Sequence, residues 1–411
     1  MISRPEYLKK LISWKEKQLI KVITGVRRCG KSTLLSLFIS HLKNSGVGDD
    51  QIISVNLEDV EHERLLNYRA LYDYVKERLC KDKYTYVFID EVQQCVMFEK
   101  AVDSLFIRDN VDVYITGSNA YMLSGELATL LSGRYVEIRM LPLSFSEYLS
   151  SDSNAQRSII IEAFNNYLKY GSFPYIAALG RETRLVRDYI DGIYNTILIK
   201  DVAQREGITD IAVLESIVKF LAGNIGSPVS VKKISDTINS SGRRISVNTV
   251  ERYLRALTDS YMFYKVDRFD IKGRQNLKTL GKYYIVDTGL RDLLVNGIAA
   301  DSGHLLENVV YLELIRRGYI VNIGKLVEKE VDFVAKNPDG IEYYQVAVTA
   351  LDSDTLSREL EPLRKIPDNH PKLLLTLDEI DIGRNHEGIR QYNALDWLTG
   401  SPSDRKNNFA E

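Results

Sequence analysis

The chain has 411 residues, 45% of them hydrophobic and 27% charged, with a formal net charge of −2. Such a chain makes about two to three globular domains with a sizeable core, and its near-neutral total gives no whole-molecule electrostatic case for a nucleic-acid or membrane partner. Three cysteines (Cys29, Cys80, Cys95), none in a C-x-x-C pair, argue against a disulfide framework or a zinc site and for a reducing compartment.

The N-terminal stretch lacks the apolar core of a signal peptide, and no run approaches the ~20 apolar residues of a membrane helix. A cytoplasmic protein with no membrane partner is therefore expected.

Short apolar runs at 19–24 (LIKVIT), 52–57 (IISVNL), 86–90 (YVFID), 111–117 (VDVYITG) and 135–140 (YVEIRM) alternate with helical patterns. The alternation predicts an α/β fold of right-handed crossover units around a mainly parallel sheet. Strands covered by helices on both faces read as continuous apolar runs, as these do.

The turn after the first run reads GVRRCGKST and fits G-x-x-x-x-G-K-[ST] at the opening of a helix. Its residues Gly25, Val26, Arg27, Arg28, Cys29, Gly30, Lys31, Ser32 and Thr33 are candidates to hold ATP. Glycines let the backbone wrap a phosphate, and successive N–H groups and the helix N-terminus then face it. Lys31 is expected to bridge the β- and γ-phosphates, and the Ser32 hydroxyl to bind Mg²⁺. Cys29 is either an oxidation-sensitive point in this loop or a small neutral filler.

The run YVFIDE ends in two carboxylates at the sheet edge where ligands bind in open α/β folds. Asp90 is the candidate for the magnesium and Glu91 for the base that activates water. The fourth run ends in TGSN, making Ser118 or Asn119 a candidate sensor of the γ-phosphate. Arg134 in SGRY is a candidate to stabilise that phosphate, in cis or from a neighbouring subunit of an oligomer.

From 143 to 205 the pattern is helical, broken by YGSFPY (170–175). Residues 206–285 read as a compact helical unit followed by a β-like pair, and 286–411 as a separate α/β unit with a polar tail. The expected division is thus 1–142, 143–205, 206–285 and 286–411.

Taken together, TGVRRCGKSTLL, YVFIDEVQ, ITGSNAYML, LLSGRY, LPLSFSEYL, KDV (200–202) and LLENVVYLEL…EVDFV resemble bacterial and archaeal ATPases of the AAA superfamily with a C-terminal domain of unknown function. The resemblance covers nearly the whole chain. It implies an AAA-type parallel-sheet P-loop core, a helical lid at 143–205, a winged-helix segment at 206–285 and a terminal α/β domain similar to the restriction-endonuclease fold.

Two readings follow. Residues 231–282 hold twelve Lys or Arg against five acids, a local excess of +7 in a chain that totals −2, which suits a surface that contacts DNA phosphates. Asn248, Thr249 and Arg252 open the helix that would meet base edges, with Val250, Leu254 and Leu257 on its buried face, and the basic stretch 265–282 would be a wing.

In the terminal domain, the nuclease-type positions correspond to Glu307, Asp332 and the triplet Gln345-Val346-Ala347. A neutral Gln345 and an Ala347 without an amine point to a fold kept without catalysis. Rival readings are a slow switch-type ATPase acting on a protein partner without nucleic acid, an ATP-gated nuclease, and a nucleotide kinase.

Overall fold

The computed structural model describes residues 2–118, 133–150, 157–180, 182–295, 297, 302–326, 328–380 and 383–400. The chain forms two compact units, Met1–Pro142 with Asp259–Tyr261, and Leu143–Thr258 with Met262–Glu411. No helix among the described residues is long and apolar enough to cross a membrane.

The first unit is built on strands β1 (Ile20–Thr24), β2 (Ile52–Asn56), β3 (Thr85–Asp90), β4 (Val111–Gly117) and β5 (Tyr135–Arg139), in the order β2-β3-β4-β1-β5. Every pairing is parallel. β1 and β3 are buried along their full length, which is why both read as largely apolar runs, with Lys21 the one charge inside β1.

One face carries Ile20, Val22, Val87, Ile89, Val113 and Ile115, packed with Leu71 and Val75 of α3 (Tyr68–Lys76) and with Ala101, Val102 and Leu105 of α4 (Phe98–Phe106). On the other face, Phe38 of α2 (Lys31–Asn44) lies 5.1 Å from the ring of Tyr114, which stacks at 4.9 Å on Phe88. The fold class expected from the alternating runs is therefore present, a parallel-sheet α/β core followed by a mixed α/β region.

That second face also buries an ion pair. Lys21 Nζ donates to Asp112 Oδ1 and, at 2.6 Å, to the Lys17 carbonyl, while Asp112 Oδ2 accepts from Tyr114 Oη at 2.7 Å and from the Glu16 N–H at 2.8 Å. Burial lowers the Lys21 pKa below the ordinary lysine value, against the pull of Asp112. The pair joins β1 to β4 across the sheet.

The second unit opens with helices at Phe145–Ser150, Arg157–Tyr170 and Thr183–Thr196, the last running on through Ile197–Gln204. Helices at Ile211–Gly223, Val231–Ser240 and Val247–Asp259 follow, then the antiparallel hairpin β6 (Phe263–Asp270) and β7 (Gln275–Ile285). The remaining strands are β8 (Ile320–Leu326), β9 (Lys329–Asn337), β10 (Gly340–Val346), β11 (Lys372–Thr376), β12 (Asn385–His386) and β13 (Ile389–Asn393). With the hairpin they make one mixed sheet, ordered β12-β13-β11-β10-β9-β8-β6-β7.

The expectation of a separate body from residue 286 onward is corrected here, because β6 pairs parallel with β8 (Arg268 opposite Ile323) and the sheet runs across that point. β8 pairs with Arg268, Phe269 and Asp270 and so covers that end of the β6 edge, whose backbone N–H and C=O groups would otherwise stand open. Asn308 adds a second tie, its side-chain amide bonding both the N–H and the carbonyl of Ile285.

Residues 143–205 are bound into the same body. The Asp287 carboxylate accepts from the Ser172 N–H at 2.6 Å, from Ser172 Oγ at 2.8 Å and from the Leu290 N–H at 3.0 Å.

Removing one partner of the Lys21–Asp112 pair strands a buried charge, so Asp112→Asn is expected to cost about 3–5 kcal/mol. The double variant Lys21→Met/Asp112→Asn is expected to recover much of that loss. Urea unfolding of the four proteins in a double-mutant cycle checks this, and simple additivity of the two losses would refute the coupling.

Candidate nucleotide site

The loop between β1 and α2 is shaped by three residues with positive φ: Gly25 (147°), Arg28 (68°) and Gly30 (102°). At Gly25 a side chain is excluded twice over, since a Cβ would collide with the Met140 carbonyl oxygen and sit 3.1 Å from Cys29 Sγ. Gly30 is the residue before α2, in the left-handed conformation that glycine adopts without a Cβ penalty.

Lys31 opens α2 and is 4% exposed. Its ammonium donates to the carbonyls of Gly25 at 3.1 Å and Val26 at 3.3 Å, and lies 3.8 Å from Glu91 Oε1. The Ser32 side chain is exposed and Thr33 half-buried in the same first turn. Arg27 pairs with Glu58 at 3.0 Å, and Arg28 is exposed. Cys29 is fully buried, and burial pushes its thiol above the usual cysteine value, against Lys31 and Arg4 nearby. A protonated, buried thiol is a poor nucleophile, so the filler role fits it.

Arg4, which sequence reasoning passed over, holds this loop from behind. The side chain is 3% exposed and its guanidinium donates to the carbonyls of Cys29 (3.1 Å), Leu141 (2.7 Å) and Pro142 (3.4 Å). Tyr7 of α1 (Pro5–Trp14) accepts the Leu141 N–H at 3.0 Å and offers its ring to the same guanidinium at 4.9 Å. Nothing local in RPEYL signals a contact with residues 25 and 137 positions away.

β3 ends in Asp90 and Glu91, both less than 10% exposed. Thr116 of β4 connects them, its hydroxyl donating to Asp90 Oδ1 and accepting the Glu91 N–H at 2.9 Å. This follows from strand order, because β4 lies between β1 and β3 and its tip rises between the loop and the carboxylates. Glu91 has φ 52° and ψ 49°, a left-handed backbone that costs a non-glycine residue about 1–2 kcal/mol and is concentrated at functional sites.

Gln93 Nε2 donates to Glu91 Oε2 and, at 3.4 Å, to Ser118 Oγ. Ser118 is buried at the end of β4, on the same edge. Asn119 lies outside the described residues.

Arg134 is elsewhere. It precedes β5, whose Tyr135 pairs with Ile20 at the start of β1, whereas the loop leaves the end of β1 at Thr24. The length of β1 separates them, about 16 Å for five residues. Arg134 is paired with Asp103 and lies 5.7 Å from the Phe106 ring of α4. The expectation that it acts in cis is withdrawn on this geometry.

In the second unit, Val250, Leu254 and Leu257 are buried, and Lys232, Lys233, Arg243, Arg244, Asn248, Arg252 and Arg255 are exposed. Thr249 is half-buried and its hydroxyl shares a hydrogen bond with Ser246 at 2.9 Å. Lys272 and Arg274 are exposed in the β6–β7 turn.

Lys282 is removed from the expected basic surface. It is 4% exposed and pairs with Glu307 at 3.1 Å and Glu330 at 2.8 Å. Burial opposes its charge, but Glu307, Asp332 and Glu330 outweigh it and hold the ammonium above the usual lysine range.

The nuclease-type positions gather around that lysine. Glu307 also accepts from Tyr284 Oη at 2.5 Å, Asp332 Oδ2 accepts the Val346 N–H at 2.9 Å, and Gln345 Nε2 donates to Glu359 at 3.0 Å. Burial, reinforced by Glu307 and opposed by Lys282, raises the Asp332 carboxyl well above the usual range. Lys282 of β7 thus lies among these carboxylates, a placement that no spacing rule could locate.

Comparison with known proteins agrees with the core described above. A family described as an AAA domain matches residues 17–149, and a domain of unknown function matches residues 161–301. A solved structure of a Walker-type ATPase of Pyrococcus abyssi is 16% identical, with a TM-score of 0.49 over 72% of this chain and 96% of its own. An uncharacterized protein of Haemophilus influenzae is 39% identical over 97% of this chain and 98% of its own length. One from Methanocaldococcus jannaschii is 31% identical over 77% of this chain and 71% of its own length. At those identities and lengths, the chain belongs to the family of these Haemophilus and Methanocaldococcus proteins and carries an AAA domain at its N-terminal end.

Proposed function

We propose that the protein is an AAA-type ATPase that binds and hydrolyses ATP at residues 25–33, 90–91 and 118, and that its nucleotide state is coupled to a DNA-contacting second unit. The observation that carries the reading is the 3.8 Å approach of Lys31 to Glu91 at one sheet edge, beside a glycine loop that opens a helix. Lys31 now spends its donors on loop carbonyls, and a triphosphate would offer anionic oxygens instead, which make stronger charge-assisted bonds.

The fit for Mg²⁺ is good. Asp90 gives one oxygen to Thr116 and keeps the other unbonded among the described residues, and the Ser32 hydroxyl is exposed nearby in sequence to Lys31. These two residues would hold the ion, which would supply positive charge to offset the phosphate oxygens. Glu91 then takes a proton from water as the water oxygen bonds to the γ-phosphorus. The bond from that phosphorus to the β–γ bridging oxygen breaks, leaving ADP and phosphate.

For the second unit, a winged helix within 206–285 is supported by the helices at 211–223, 231–240 and 247–259 followed by the β6–β7 hairpin, and by the Pro228 bridge to Lys282 of β7. DNA phosphates are its natural ligand given the exposed arginines and lysines at 232–255 and 272–274. The terminal region keeps a structural or interaction role in this reading, and Arg134 remains available only to a neighbouring subunit.

Lys31→Ala is expected to weaken ATP binding by about 100-fold or more, measured by calorimetry. Glu91→Gln should keep ATP and lose turnover by roughly 10²–10⁴-fold, and unchanged turnover would remove Glu91 from the base role. In the folded protein, iodoacetamide should label the half-buried Cys80 well before Cys29, and bound ATP should not be needed for that protection. Duplex DNA affinity should fall with salt, and the slope should drop by about one unit for each of Arg243, Arg244 and Arg252 changed to Ala. Binding that ignores salt would exclude the DNA role and favour a protein partner.

A further inference from the structure

We propose that Gln93 is a second residue acting on the attacking water, with its amide oxygen accepting a hydrogen bond from that water while its amide nitrogen holds the base. The inference rests on the ATPase reading of the same site.

The Gln93 side-chain amide is unbalanced. Gln93 Nε2 is spent on Glu91 Oε2 and Ser118 Oγ, whereas Oε1 is buried and receives no hydrogen bond from any described residue. A buried acceptor left empty is unfavourable, and native structures keep such atoms mainly where a ligand or water completes them. The amide cannot turn round to cure the defect, because that would set its oxygen against the Glu91 carboxylate.

The neighbours identify what would complete it. Glu91 Oε2 is pinned by the amide and Oε1 faces the Lys31 ammonium at 3.8 Å, so the carboxylate is held in one orientation. Its left-handed backbone, with the N–H fixed by Thr116, turns the following residues back toward the end of β4. The empty acceptor therefore lies beside the proton acceptor and Ser118.

A water between them can donate one O–H to Glu91 and the other to Gln93 Oε1, leaving its lone pair for the γ-phosphorus. The proton goes to Glu91, and Gln93 neither gains nor loses one. Two acceptors fix the orientation of the water, which one carboxylate cannot do.

The test uses the full chain with ATP and Mg²⁺. Gln93→Leu keeps the size and removes both functions. It is expected to lower kcat by about 10²–10³-fold while the Kd for a non-hydrolysable ATP analogue and the urea midpoint stay at wild-type values. Gln93→Glu, also of the same size, carries the test should the leucine variant fail to fold. A carboxylate in place of the amide cannot donate to Glu91 Oε2, so kcat is expected to fall while the Kd for the analogue stays at its wild-type value. Wild-type kcat in both variants, or a loss confined to analogue binding, overturns the proposal alone. A wild-type protein that binds ATP and never hydrolyses it overturns the ATPase reading and this proposal together.

Discussion

Everything proposed for the first unit depends on a backbone shape that the loop cannot hold by itself. Residues 25–30 turn through three left-handed positions, and the carbonyls of Gly25, Val26 and Cys29 are left facing inward. Two buried cations complete them, Lys31 from inside the turn and Arg4 from behind it. Arg4 also takes the carbonyls of Leu141 and Pro142, so the loop and the chain leaving β5 share one anchor. The absence of a side chain at Gly25 lets the Met140 carbonyl come close enough for this arrangement to exist.

The strand order then decides which side chains join the loop. With β4 between β1 and β3, the Thr116 hydroxyl bridges Asp90 to the backbone of Glu91, and Ser118 reaches Gln93. A sheet with β3 next to β1 would bring the same carboxylates to the same edge without those bridges. The constraint on Glu91 is thus partly a property of topology, and its left-handed backbone is tolerated because the hydrogen bond from its N–H fixes it.

In the second unit, charge is organised by burial rather than by count. The run 231–282 has a large basic excess, but Lys282 is turned inward to neutralise Glu307 and Glu330, and Lys265 pairs with Asp267. What remains exposed is concentrated on the helices at 231–240 and 247–259, the loop between them and the hairpin turn. The inward lysine also explains how Glu307 and Asp332 share one interior without two free negative charges.

By itself the sequence determined the features whose cause is local. The glycine spacing with Lys31 and Ser32, the apolar strand ending in Asp90–Glu91 and the helical face of Val250, Leu254 and Leu257 are all set within a few residues, by backbone freedom and by periodicity. Tertiary structure alone decided which distant groups meet. Arg134 looked close to the site in the strand list, yet it enters β5 at the far edge, since parallel strands present their starts and ends on opposite sides. Arg4, Thr116, Gln93 and Lys282 gained their partners from chain crossings of up to 138 residues, and the sheet continues through residue 286 because β6 pairs with β8. Hydrogen bonds and ion pairs of that range have no period and no spacing, so only the packed chain could reveal them.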